Sequence, residues 1–254
     1  MIADTIRRGE TNPTKDTAHK ANPLCILASF VVIWSCMNTS PAEKPQRTTL
    51  RGSAISLVPL DAKAHAKDLY AGTHGEGREI VWDYLFDGPF PNQEAFTASL
   101  KQKAELQDMV FFAILDNQTE KALGYASYLR IEPPHRVIEV GNILFTPSLQ
   151  RTVGATEAMY LMARYIFDDL RYRRYEWKCN SLNAPSRRAA LRLGFTFEGI
   201  FRQHMIIKGR NRDTAWFSML DSEWPVRKAA FEKWLDPANF DGEGKQKRSL
   251  AELA

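Results

Sequence analysis

A chain of 254 residues, 44% hydrophobic and 25% charged, can bury one sizeable core with appendages, and this composition excludes wholesale disorder. Its three cysteines, Cys25, Cys36 and Cys179, lack the paired spacing of a disulfide framework or a zinc site, so a reducing compartment and a metal-free protein are expected. The net charge of +4 hides an asymmetry: from Arg164 to Arg212, twelve Lys or Arg stand against four Asp or Glu, a local +8.

Residues 1–49 scatter Thr, Asn, Pro and Lys around one apolar run, 24–37. Its 14 residues fall short of the about 20 that span a bilayer as a helix. The run resembles the centre of a signal peptide, but a long segment carrying Asp4, Glu10 and Asp16 precedes it. A weak membrane anchor, a targeting segment and an extension poorly coupled to the fold compete. The extension is the expectation, with 41–49 as a linker and the protein in the cytoplasm.

From Arg51 the pattern tightens. Residues 54–58 alternate and predict a strand ending at Pro59. Asp61 predicts the cap of a helix to about Tyr70, followed by a loop with Gly72, Gly75 and Gly77 and an aromatic cluster of Trp82, Tyr84, Phe86 and Phe90. Asn92 caps a second helix to about Gln107, in which Phe96, Leu100 and Ala104 recur at helical spacing. A strand at 109–115, a turn at 116–119 and a return strand at 122–131 read as a hairpin. Pro133-Pro134 breaks the chain before a strand at 137–145.

A helix over about 152–170, a strand from 173, an Asn183-capped short helix, two strands and a terminal helix around 227–235 complete the series. Residues 241–254 read as a loose charged tail. The fold class expected for a domain over 50–240 is α/β, a mixed sheet with helices on both faces.

The basic segment marks where an anion would bind. Nucleic acid is not expected, because aromatic stacking motifs and zinc knuckles are missing. A polyphosphate cofactor accounts for the same charge, and a solvated basic face accounts for part of it.

Within that segment the order of residues is specific. Residues 173–180 form a strand; Asn183-Ala184-Pro185-Ser186 opens a short helix; Leu193-Gly194-Phe195 and Glu198-Gly199 turn into a strand; and Glu223-Trp224 closes the series. This succession resembles the C-terminal half of the GNAT superfamily of acyltransferases, and most closely the ribosomal-protein N-terminal acetyltransferase branch. The resemblance covers about 51–224. It implies the order strand, two helices, three strands, helix, strand, helix, two strands, with acetyl-CoA as co-substrate and no metal.

At the strand-to-helix junction after Pro147, free backbone N–H groups and the helix dipole suit a pyrophosphate. The family's loop there is Gln/Arg-x-x-Gly-x-Gly/Ala. Gln150, Arg151, Thr152, Val153, Gly154, Ala155 and Thr156 occupy it, with Val153 where the middle glycine belongs. An ordinary helix start explains the same residues. Asn183 is a good N-cap in its own right; by resemblance it also contacts the pantetheine arm, and Ser186 stands near the sulfur as the acid for the leaving thiolate. Many superfamily members use a tyrosine for that step, and this helix has none.

Acyl transfer to an amine also needs a base and a polarising donor. Glu139 lies among apolar neighbours on a strand expected to border the cleft, and burial there would raise its pKa. It is the candidate base, with a solvent-facing or arginine-paired role as the alternative. Main-chain N–H groups from Ile143, Leu144 and Phe145 are the candidate donors. Trp82, Asp83 and Tyr84 fall where the family's early helices form the acceptor pocket, with core packing the competing account and the better one for Trp82 and Phe86. His74 and His204 are weaker candidates, and Cys179 reads as an inert core residue.

The function expected is N-acetylation of a primary amine, small molecule or peptide, by direct attack without an acyl-enzyme, in a monomer or homodimer with no membrane role. A non-catalytic acyl-CoA-binding sensor of the same fold is the alternative.

Overall fold

Eight strands whose alternating side chains bury on two faces form a single sheet. A computed structural model describes residues 40–253, and the apolar run at 24–37 lies outside them. The strands are β1 (Leu50–Arg51), β2 (Ile55–Pro59), β3 (Val110–Asp116), β4 (Ala122–Glu132), β5 (Val137–Phe145), β6 (Arg174–Asn180), β7 (Thr196–Ile207) and β8 (Arg210–Leu220). Their order across the sheet is β1-β2-β3-β4-β5-β6-β8-β7. Every neighbouring pair is antiparallel except β5–β6, which is parallel and needs a helical crossover.

The alternation expected of half-buried strands decides which helices lie where. On β3, Phe111 and Ala113 face a core built with α1 (Ala62–Thr73) and α2 (Gln93–Glu105). Phe112 and Ile114 face the larger core, which holds α3 (Val153–Arg164) and α5 (Trp224–Leu235). Two short helices, α4 (Ala184–Arg192) and α6 (Leu250–Leu253), complete the set among the described residues. Both early helices are capped as their sequences predict. Asp61 accepts the N–H groups of Lys63 and Ala64, and Asn92 accepts that of Ala95.

Three expectations differ from the structure. The helix expected over 152–170 is α-helical only to Arg164, and Tyr165–Asp169 widens into a π turn closed by Leu170 N–H on the Tyr165 carbonyl. The linker is packed where it is described. Ala42 and Pro45 are buried, Ala42 donates its N–H to the Pro133 carbonyl, and the Gln46 N–H donates to the Tyr165 hydroxyl. The tail read as loose folds back: the Trp234 indole donates to Gln246 at 2.7 Å, and Leu250 is buried. In both segments a few apolar or hydrogen-bonded residues outweigh a polar local composition.

Helix α3 is pinned to the sheet edge by one carboxylate. Glu157 accepts the backbone N–H groups of Ser53, Ala54 and Ile55 at 2.6, 2.8 and 3.0 Å. The chain must come this close, so Gly52 has no room for a side chain: a Cβ there would lie 2.5 Å from Glu157 Cδ. Glu157→Gln keeps the shape but points an amide N–H₂ at backbone donors. It is expected to lower stability by about 1.5–3 kcal/mol, read as a shifted midpoint at unchanged slope in urea unfolding.

Candidate active site

The parallel pair β5–β6 runs only from Val137↔Arg174 to Val140↔Trp177. Beyond it β5 stays with β4 as far as Phe145, while β6 stays with β8 as far as Asn180. A wedge therefore opens between Gly141–Phe145 on one side and Lys178–Asn180 on the other. Its cause is local. Tyr125↔Leu144 and Ser127↔Gly141 leave one extra residue on β5, a bulge at Asn142, whose φ is +50°. A bulge bends its strand, and Asn is one of the few side chains that tolerates this backbone conformation. The Asn142 amide donates to Ser127 Oγ at 2.9 Å and holds the bend.

Ile143, Leu144 and Phe145 line the open edge of β5, with the Leu144 side chain turned into the core under α1 and α2. The loop after β5 is tightly wound. Leu149 and Gln150 donate their N–H groups to the Thr146 carbonyl, Gln150 donates its side-chain amide to the Phe145 carbonyl, and Arg151 takes a left-handed backbone. Thr152 caps α3 by accepting the Ala155 N–H, so the first-turn N–H groups of Val153 and Gly154 are the donors with no intrahelical partner. Gly154 sits against β2, where a Cβ would lie 2.7 Å from Ile55 Cγ2, so this glycine serves the close approach of helix and strand. Thr156 is buried and accepts from Arg192 at 3.1 Å.

On β6, Trp177 and Cys179 face the larger core, and Glu176 and Lys178 face the other way. Asn183 accepts the Ser186 N–H at 3.0 Å as the cap of α4. Ser186 Oγ accepts the Trp177 indole N–H at 3.0 Å, so the hydroxyl proton of Ser186 is not used in that bond. Burial pushes the Cys179 thiol above its ordinary pKa, in keeping with an inert role.

On the opposite face, Glu139 lies 6% exposed at the foot of the wedge. Lys178 Nζ reaches Glu139 and Glu176 at 2.7 Å each and stands 3.8 Å from the centre of the Trp216 ring. Arg130 Nε approaches Glu139 at 3.6 Å. Arg174 continues the network from Glu176 to a two-pronged pair with Glu198. Burial raises the Glu139 carboxyl above its ordinary value in spite of the Lys178 charge. Burial also opposes ionisation of Glu176, but the hydrogen bonds from Lys178 and Arg174 outweigh it and hold that carboxyl below its ordinary value. Lys178 is the partner that sequence reasoning missed. Its two-residue spacing from Glu176 was the available signal, since it puts both on one face of a strand.

The segment expected to form an acceptor pocket divides. Trp82 is fully buried, its indole donating to the Thr73 carbonyl and its rings edge-on to Phe90 and Phe96. It belongs to the core, as its size and apolar setting favour, and it offers no face to a ligand. Asp83 and Tyr84 are exposed, and the Tyr84 hydroxyl donates to the Leu182 carbonyl across the mouth of the wedge. His74 is buried and stacked on Tyr70; burial lowers its pKa, and its Nε2 accepts the Phe90 N–H. His204 shares a hydrogen bond with the Thr214 hydroxyl at 2.9 Å. Among the described residues no cluster of His, Cys, Asp or Glu suits a metal.

Residues 55–196 match the family described as Acetyltransferase (GNAT) domain. A GCN5-related N-acetyltransferase from Brucella melitensis is 47% identical, with a TM-score of 0.83 over 85% of this chain and 98% of that one. A probable GNAT-family acetyltransferase from Chromobacterium violaceum is 38% identical, with a TM-score of 0.69 over 83% and 100%. The uncharacterized N-acetyltransferase YnaD of Bacillus subtilis (strain 168) is 26% identical over 145 residues, 57% of this chain and 82% of that one. The parted strands, the capped helix beyond them and these likenesses agree: the chain belongs to the GNAT family of acetyltransferases.

Proposed function

We propose that this acetyltransferase moves the acetyl group of acetyl-CoA directly onto a primary amine, with Glu139 as base and Ser186 as acid. One observation carries the reading. Glu139 and Ser186 lie toward opposite faces of the sheet, the first with Glu176 and Lys178 and the second bonded to Trp177. The gap where β5 and β6 part is where one reaction can draw on both.

The residues fit the co-substrate. The free N–H groups of Val153 and Gly154, the exposed Arg151 and the helix dipole of α3 suit the pyrophosphate. Val153, in place of a glycine, is half-buried against the core and leaves the main-chain donors of the loop intact. The open edge at Ile143, Leu144 and Phe145 would hold the pantetheine arm and polarise the thioester carbonyl, with Asn183 steadying the far side. The thioester supplies the acetyl group. Glu139 would take the proton that the amine loses as its nitrogen bonds to the acetyl carbon. Ser186 would give its proton to the sulfur as the carbon–sulfur bond breaks, so the exchange is neutral in protons overall.

The Asn183-to-Glu198 order supports the ribosomal-protein N-terminal acetyltransferase branch, which would make a peptide N-terminus one acceptor class. Asp83 and Tyr84 would border the acceptor's entrance. No helix among the described residues is long and apolar enough to cross a membrane.

Ser186→Ala leaves the Asn183 cap in place, so folding should survive. Turnover is expected to fall by about one to two powers of ten at nearly unchanged acetyl-CoA affinity, because the bond forms as the thiolate leaves. Unchanged single-turnover rates would remove Ser186 from the mechanism.

Glu139 has a raised pKa, so its carboxylate form is lost as the pH falls through a value above the ordinary carboxylate range. Wild-type kcat/KM is expected to decline on acidification there. Glu139→Gln should lose about two to four powers of ten near neutral pH and recover part of it in alkali, where the amine is already neutral. A flat, wild-type-like pH profile in the variant would make Glu139 structural.

A further inference from the structure

The wedge holds one buried charge that has no ion-pair partner among the described residues. The two buried carboxylates of the wedge each have their cations: Glu139 has Lys178 and Arg130, and Glu176 has Lys178 and Arg174. Arg212 is different. It is 7% exposed, and among the described residues no carboxylate lies within ion-pair distance of it. Its Nε donates to Thr214 Oγ1 at 3.1 Å, and its guanidinium carbon stands 5.1 Å from the centre of the Phe86 ring. Burial pushes the guanidinium below its ordinary pKa, yet an arginine stays charged at any pH a protein meets. A buried charge without a counter-charge is costly, and fixed cations of this kind are normally met by an anion.

Position indicates which anion. On β8 the two-residue period puts Arg212 on one face with Thr214 and Trp216. Thr214 pairs with Asn180, the last residue of β6, and Trp216 with Lys178. Arg212 therefore stands one step past the end of β6, on the face that carries Glu139, and close enough for their charges to interact. Phe86 belongs to the segment between α1 and α2. That segment is tied over the wedge by Tyr84 on the Leu182 carbonyl at 3.2 Å and by Lys208 Nζ on the Trp82 carbonyl at 2.8 Å. The face is opposite to the one on which α3 packs, so the phosphates of acetyl-CoA at the α3 start do not account for Arg212.

We propose that the amine acetylated here carries an oxyanion, a carboxylate or a phosphate, which docks on the terminal N–H groups of Arg212 beneath Phe86. The planar fork of a guanidinium matches both groups by paired hydrogen bonds. The proposal deepens the acetyl-transfer reading and rests on it. Docking the anion at Arg212 would leave the amine end of the acceptor to reach toward Glu139.

The test compares kcat/KM for matched amines that differ only in the anion: amino acids against their amides, and O-phosphoethanolamine against ethanolamine. Wild-type enzyme is expected to favour the anionic member of one pair by about 10–100-fold, the span of a charge-assisted hydrogen bond. The pair that responds identifies carboxylate or phosphate. Arg212→Gln should lose the preference through a higher acceptor KM, with the KM for acetyl-CoA unchanged. Arg212→Lys, which keeps the charge without the fork, should fall between, and it serves if the glutamine variant does not fold. Acetylation with no anionic preference, or a preference that survives in Arg212→Gln, overturns the proposal and leaves acetyl transfer standing. If no amine is acetylated, the acetyl-transfer reading fails by itself. Calorimetry with CoA present, using N-acetylglycine against N-acetylglycinamide and O-phosphoethanolamine against ethanolamine, then decides the Arg212 site. Acid-selective binding by wild type alone supports the site, and equal or absent binding overturns it.

Discussion

The separation of β5 from β6 beyond Val140 and Trp177 is the constraint on which the site depends. A continuous sheet is closed by its own ladder of hydrogen bonds and offers no passage between its faces. Here β5 carries one residue too many for its partner β4, and the bulge at Asn142 bends it away while β6 follows β8. The wedge that results exposes a strand edge and brings the start of α3, the start of α4 and the Glu139 cluster to one opening. Gly141, just before the bulge, lies close under Leu129: a Cβ would stand 2.9 Å from its Cδ2, so a larger residue there would have to move that side chain.

The charges around the wedge follow from what burial demands. Lys178 is shared by two carboxylates, and each of them has a second cation in Arg130 or Arg174. An arrangement of this sort is weak evidence for stability, since desolvation opposes the attraction, but it fixes where each group stands. Glu139 and Glu176 face each other in register on adjacent strands. Their carboxyls nevertheless shift in opposite directions, because Glu176 receives two close donors and Glu139 is more thoroughly desolvated.

Much of the site was legible in the residues. Asn183-Ala-Pro-Ser has the chemistry of a capped first turn, and the structure uses it so, down to the Asn183–Ser186 hydrogen bond. Glu198, of the Phe-x-x-Glu-Gly segment that opens β7, pairs with Arg174 and the Ser218 hydroxyl and locks β7 to β6 across β8. Gly141-Asn142 inside an apolar run was a readable sign of a bulge, since both residues accept unusual backbone angles; read as a plain strand, it concealed the cause of the wedge. Trp82 and Phe86 both read as core residues, and packing separated them: Trp82 is turned inward between the two helices, while Phe86, in the segment that joins them, stays 44% exposed.

Local order, caps, turn residues and strand alternation are properties of neighbours along the chain. From them the sequence by itself determined the succession of strands and helices, the family likeness, and the residue types able to carry acyl transfer. It could not decide which distant charges would meet. Glu157 is 102 residues from the Ile55 amide it holds, and Lys178 is 39 from Glu139. Nor could it show that Arg212 would be buried without a counter-charge. Only the tertiary structure decided these, because pairing across a sheet is set by register and bulges, and burial is set by what packs on top.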